Sequence, residues 1–264
     1  MHEIADIACN FTSDRFDNDL DEVIDRAIAN HITKFGLICS RLRDIDKLLE
    51  IYNRYSKNMF FTIGVHPHHA NEINAEYLEK IKEVINKNNP HAIGETGLDF
   101  FRNLSTYEEQ MYAFEEQIKI AIDTNKPLFL HQRDSHEDFI KILRKYSSDI
   151  SKAVVHCFTG TQSQLDDYLE LDCYIGVTGW ICDEKRNVEL RKTIKNIPLS
   201  KLMIETDCPY LIPKNLLDKP KNNRNEPSYL NHIVTEISKL LDTDEEDIRN
   251  ESFKNTLSFF QSVN

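Results

Sequence analysis

Four apolar runs in this chain end in groups that carry charge or lone pairs. Ala92-Ile-Gly-Glu95 delivers a carboxylate, and Pro127-Leu-Phe-Leu-His131 and Ala153-Val-Val-His156 each deliver an imidazole. Leu202-Met-Ile-Glu-Thr-Asp207 delivers a second carboxylate. An unpaired buried charge is costly, so groups placed at the ends of apolar strands need one another or a cation. Imidazole and carboxylate together suit Zn²⁺ or Mn²⁺, or Mg²⁺ when waters complete the shell. One such His is equally well a hydrogen-bonded rim residue, but Glu95, His131 and His156 at consecutive strand ends read as a metal centre. Asp207 is expected both to ligate and to orient or deprotonate a water, with a helix cap or ion-pair partner as its structural alternative. Glu205 shares its strand face and is expected to hold a His or Arg from behind. Asp99 fits either such support or loop structure.

A second set of residues suits phosphate. Pro67 keeps Gly64-Val-His-Pro-His68 extended, so His66 and His68 can face one cleft as donors, a surface His cluster being the alternative. Arg133, two residues beyond His131, can clamp a phosphate or pair with Asp134 or Glu137. Arg102 has the same potential, and Phe100, Phe101 and Trp180 offer either base-stacking surface or packing. No Gly-rich phosphate loop and no Gly-x-Ser-x-Gly elbow occurs, which disfavours nucleotide-loop and serine chemistry.

The elements that must position these groups alternate along the chain. Strands are expected at Glu3–Ala8, Lys34–Cys39, Met59–Gly64, Ala92–Glu95, Pro127–Leu130, Ala153–His156, Tyr174–Val177 and Leu202–Glu205. Helical spacing of apolar residues follows each one. A last helix over Glu245–Phe259 starts from Thr243 with Glu246 three residues on, the spelling of a capping box. Eight strand–helix units predict an α/β fold, a (β/α)₈ TIM barrel with its reactive groups at the carboxyl ends of the strands. The 264 residues, near the roughly 250 typical of such a barrel, are expected to form one domain, 1–264. The longest connection, Cys208 to Ser228, carries Lys214, Lys219, Lys221 and Arg224 and is a candidate for phosphate contact.

Hydrophobic content of 40% and charged content of 29% describe a globular chain without a membrane span. The first residues show no basic region leading into an apolar one, so the cytoplasm is the expected compartment. Six cysteines without a Cys-x-x-Cys pair are expected as reduced thiols. A net charge of −12 argues against coating duplex DNA, though not against handling nucleic acid in a local cleft. No helix stands out as an interface, so a monomer is the default.

Taken together, Gly64-Val-His-Pro-His68, Ala92-Ile-Gly-Glu-Thr-Gly-Leu-Asp99, His131-Gln-Arg-Asp-Ser-His136, Val155-His-Cys-Phe-Thr-Gly160 and Ile204-Glu-Thr-Asp-Cys-Pro-Tyr210 resemble the TatD family of metal-dependent deoxyribonucleases. The resemblance runs from about Ile4 to the final helix and implies an amidohydrolase-like barrel with nuclease activity. Position by position it implies metal ligands at Glu95, His131, His156 and Asp207, and phosphate handling at His66 and Arg133. Most members also carry a His-x-His pair after the first strand, where this chain has Ala8 and Asn10. That wording is similar to a branch described as magnesium-dependent 3′-to-5′ exonucleases on single-stranded DNA and RNA. It implies one firm cation, Mg²⁺ ahead of Mn²⁺ or Zn²⁺, with a second arriving with substrate. The expectation is therefore a nuclease with Glu95 and Asp207 as catalytic residues and His66, His68 and Arg133 on the substrate, single-stranded DNA or RNA. The rival readings are a hydrolase of small esters or amides on the same barrel, and a non-catalytic barrel that has lost a metal site.

Overall fold

The apolar runs form eight strands: β1 (Ile4–Cys9), β2 (Ile32–Leu37), β3 (Met59–Ile63), β4 (Ala92–Asp99), β5 (Leu128–Arg133), β6 (Ala153–Val155), β7 (Tyr174–Val177) and β8 (Leu202–Ile204). The structure, a computed structural model, describes residues 2–220 and 222–261. The strands pair in chain order, and every pairing is parallel. The seam between first and last is closed by a parallel bridge from Cys9 to Cys208 and by the Asn10 amide, which donates to the Cys208 carbonyl at 2.8 Å. Buried Asp6 reinforces it by accepting from the Thr206 amide and hydroxyl. The expected (β/α)₈ barrel is present.

Nine helices surround the strands: α1 (Leu20–Ala29), α2 (Ile45–Arg54), α3 (Ala75–Asn88), α4 (Tyr107–Asp123), α5 (His136–Tyr146), α6 (Gln162–Glu170), α7 (Val188–Thr193), α8 (Leu230–Leu241) and α9 (Glu245–Phe260), counted among the described residues. Their apolar stripes bury against the outer sheet face in one continuous core. A smaller cluster fills the barrel interior with Ile7, Ala8, Ile38, Phe60, Ala92, Phe129, Val154 and Met203, sealed by Phe259 and Phe260 of α9. Phe260 stacks on Phe60 at 4.8 Å and 7°. The interior is thus a packed floor, and polar groups are left to the open, carboxyl end. None of the described helices is long and apolar enough to cross a membrane.

Two local expectations are corrected. Thr243 does not cap α9: its hydroxyl donates to the Leu241 carbonyl, and Asp244 occupies the N-cap without a side-chain bond. Capping boxes form instead at Thr106–Glu109 before α4 and Thr161–Gln164 before α6. The basic loop after β8 is also less available than its composition suggests. Arg224 is 7% exposed, grips both Asp19 oxygens at 2.6 Å and lies over the Phe16 ring. It ties the loop to the start of α1 and is not free for a ligand. Lys214 and Lys219 are exposed, and Lys221 lies outside the described residues. Replacing Arg224 by Ala is expected to cost about 2–3 kcal/mol in urea denaturation, less than a fully buried pair because Asp19 is partly exposed. An unchanged midpoint would mean that the guanidinium is not structural.

Candidate active site

Glu95 lies in the middle of β4 and not at its end, since the strand continues, buried throughout, to Asp99. Gly94 and Gly97 flank it with φ of +143° each, a conformation that side chains rarely adopt. A Cβ on Gly94 would sit 2.3 Å from the Phe129 carbonyl oxygen, and one on Gly97 would sit 1.9 Å from that of His131. The two glycines let β4 lie against β5 more closely than side chains permit. This brings Glu95 Oε1 to 3.0 Å from His131 Nδ1, 2.8 Å from His156 Nε2 and 3.3 Å from His66 Nε2. Burial alone would push the Glu95 carboxyl up. The inward-facing N–H of His66, the charge of His156 and the hydrogen bonds of His131 and His156 outweigh it and hold the group well below the usual range.

The imidazoles are braced from their far sides. His131 Nε2 meets Asp99 Oδ2 at 3.3 Å, and His156 Nδ1 faces Glu205 Oε2 at 3.4 Å, while Glu205 Oε1 accepts from the Cys157 amide. Burial lowers both histidines, but these carboxylates and Glu95 more than offset it, so both are raised above the ordinary imidazole value. His66 differs. Its Nδ1 accepts from the His68 amide at 3.1 Å, which puts its proton on Nε2, and burial drops its pKa to about 4. It therefore presents a neutral N–H donor to the centre.

His68 is bound to Asp99 Oδ2 at 2.7 Å, the same oxygen that meets His131, and makes no contact with Glu95 of its own. Asp207 shares no hydrogen bond with the Glu95 cluster. It is half-buried, accepts from Asn10 Nδ2 at 2.9 Å and is pushed up to about 7, chiefly by burial, against the opposing pull of His156. Arg133 is exposed, with its guanidinium 3.8 Å above the Phe101 ring and away from the cluster. Trp180 is partly buried against the core, and Arg102 is exposed, its amide donating to Asp99.

Three positioning residues escaped the sequence reading. Asn10, noted in the sequence only as standing where the family carries a His, donates to Asp207 and to the Cys208 carbonyl. Gln117 accepts from the Val65 amide at 2.7 Å and donates to its carbonyl, fixing the segment that carries His66. Gln110, seven residues earlier and so on the same face of α4, does the same for Asp99. Two buried glutamines two turns apart on an otherwise apolar face were the available signal.

The TatD-related DNase family pattern matches residues 5–261 of this chain. The chain belongs to that family. A protein from Escherichia fergusonii named 3′-5′ ssDNA/RNA exonuclease TatD is 43% identical, with 88% of this chain and 89% of that protein covered. A protein of the same name from Pectobacterium parmentieri is 41% identical over 88% and 90% of the two chains. Among solved structures, a TatD-family hydrolase from Entamoeba histolytica superimposes with a TM-score of 0.89 at 30% identity, covering 98% of each chain.

In this TatD-family chain the position that usually bears the first His of the pair is Ala8, packed in the interior floor, and the second is Asn10, turned toward Asp207. The bracing of His156 is directly testable. Glu205→Gln removes the charge behind Nδ1 and is expected to lower the His156 pKa in the metal-free protein, read from imidazole shifts in an NMR titration. An unmoved titration would show that Glu205 does not hold this ring.

Proposed function

We propose that this chain is a metal-dependent phosphodiesterase that removes nucleotides from the 3′ end of single-stranded DNA and RNA. The observation that carries the reading is one Glu95 oxygen facing imidazole nitrogens of His131, His156 and His66 at 3.0, 2.8 and 3.3 Å. The names of the 41–43% identical relatives support the substrate class and the polarity. A recessed barrel mouth also favours a single strand over a duplex.

The donor set fits a divalent cation. His131 Nδ1 and His156 Nε2 lie 3.3 Å apart and both converge on Glu95 Oε1, so in the bare protein only protons can occupy the lone pairs that meet there. Glu95, His131, His156 and Asp207 are the proposed ligands. Such a set accepts Mg²⁺, the proposed working ion, when it retains water, and binds Mn²⁺ or Zn²⁺ through its nitrogens. When bound, the cation supplies a lowered pKa for a water and offsets the charge that builds on phosphorus.

The side chains divide the remaining work. Asp207, held by the Asn10 amide, takes up the proton that the attacking water gives up. His66 offers its Nε2–H to a non-bridging phosphate oxygen, while Asp99 and Glu205 keep the other two rings aimed inward. His68 acts through Asp99, and Arg133 meets the substrate farther out along β5.

Digestion of end-labelled single-stranded DNA tests this. The wild-type chain with Mg²⁺ or Mn²⁺ is expected to shorten the strand stepwise from its 3′ end and to stop with chelator. Glu95→Gln is expected to slow it by about a thousandfold with an unchanged circular dichroism spectrum. Full activity in chelator or in the variant would refute the proposal.

A further inference from the structure

Phe101 is 57% exposed although the Arg133 guanidinium covers one face of its ring at 3.8 Å. Phe101 is the one phenylalanine among the exposed large hydrophobic side chains of the described residues, and a planar cation held flat upon it forms a two-layered stacking surface. Neighbouring Leu104 is 61% exposed, so the patch extends along the β4–α4 connection. Beside it runs an open cavity of about 540 Å³ between the loops that follow β4, β5 and β6, lined by Phe101, Arg133, Asp134, Glu137, Thr159 and Gly160.

This surface is wired to the catalytic cluster. Asp99 Oδ1 accepts from the amides of Phe101 and Arg102 at 3.0 and 2.8 Å, while its Oδ2 meets His68 and His131 at 2.7 and 3.3 Å. One carboxylate thus fixes the aromatic loop relative to the ring that touches Glu95. Arg133 lies two residues beyond His131 on β5, on the order of 7 Å along the strand, about the reach of one nucleotide. The carboxylates of Asp134 and Glu137 repel a phosphate path on their wall. Together with Asp138, they disfavour a phosphate in the cavity except beside Arg133 and can accept from the exocyclic amines of base edges.

We infer that the Phe101–Arg133 platform and its cavity form a nucleobase subsite that holds the retained strand one nucleotide away from the reacting end. The occupant is single-stranded nucleic acid: the surface is continuous with the cluster through Asp99, and a base on an aromatic ring with a cation for its phosphate is how such strands are held without sequence preference. The inference rests on the nuclease reading above, and its test separates the two.

The probe is a fluorescent single-stranded DNA of about ten nucleotides, the scale of one such groove, titrated in chelator and followed by anisotropy. Phe101→Ala is expected to weaken binding about tenfold, and Phe101→Trp to restore it. In turnover with Mn²⁺, Phe101→Ala is expected to raise KM for the oligonucleotide by a similar factor with little change in kcat. Hydrolysis of bis(4-nitrophenyl) phosphate, too small to span the distance, is expected to stay within twofold of wild type. Equal binding by wild type and Phe101→Ala, or a loss that Trp does not restore, would overturn the subsite and leave the nuclease reading standing. Wild-type binding that depends on Phe101 without any strand cleavage would overturn the nuclease reading and keep the subsite.

Discussion

An ionised carboxylate buried in the mouth of the barrel is the constraint on which this structure turns. Glu95 cannot hold its charge there unless cationic or hydrogen-bonding groups surround it, and the imidazoles of His66, His131 and His156 do so from three different strand ends. That demand explains features far from the charge. Gly94 and Gly97 exist to let β4 approach β5, the glutamines of α4 lock the backbones that carry His66 and Asp99, and the β1–β8 seam brings Asn10 to Asp207. The apolar floor of Phe129, Met203 and Phe260 keeps all of this polarity at one end.

The chemistry follows from how unequally the groups share protons. His131 and His156 are braced by Asp99 and Glu205 and pulled toward the protonated form, whereas His66 is kept neutral with its proton facing inward. Asp207 lies outside this hydrogen-bonded set, and burial pushes its carboxyl up to about 7. The position where most members of the family carry an additional His pair has been turned to structure: Ala8 fills the floor, and Asn10 supplies a proton donor to Asp207.

Much of this was legible in the sequence because apolar runs ending in polar residues encode both a strand and what it delivers. All eight strands were readable in this way, as was the gathering of Glu95, His131 and His156. Glu205 was expected to hold a His or Arg and lies behind His156, although β8 ends at Ile204 and strand alternation does not reach it. What was not legible depends on partners distant in sequence. Arg224 looks like a phosphate ligand until Asp19 and Phe16 come beside it, and Asn10 has no evident task until the barrel closes on Asp207. Thr243 has the capping-box spelling, but its hydroxyl finds the Leu241 carbonyl first. Local patterns predict local geometry, while the choice among hydrogen-bond partners is made by the closed sheet.

The measurement that bears most directly on the central claim is anomalous diffraction at the manganese edge from crystals soaked in Mn²⁺. A single strong peak is expected within bonding distance of Glu95, His131 and His156. A protein that takes up manganese elsewhere, or leaves that carboxylate hydrogen-bonded to its imidazoles with no peak between them, would contradict it.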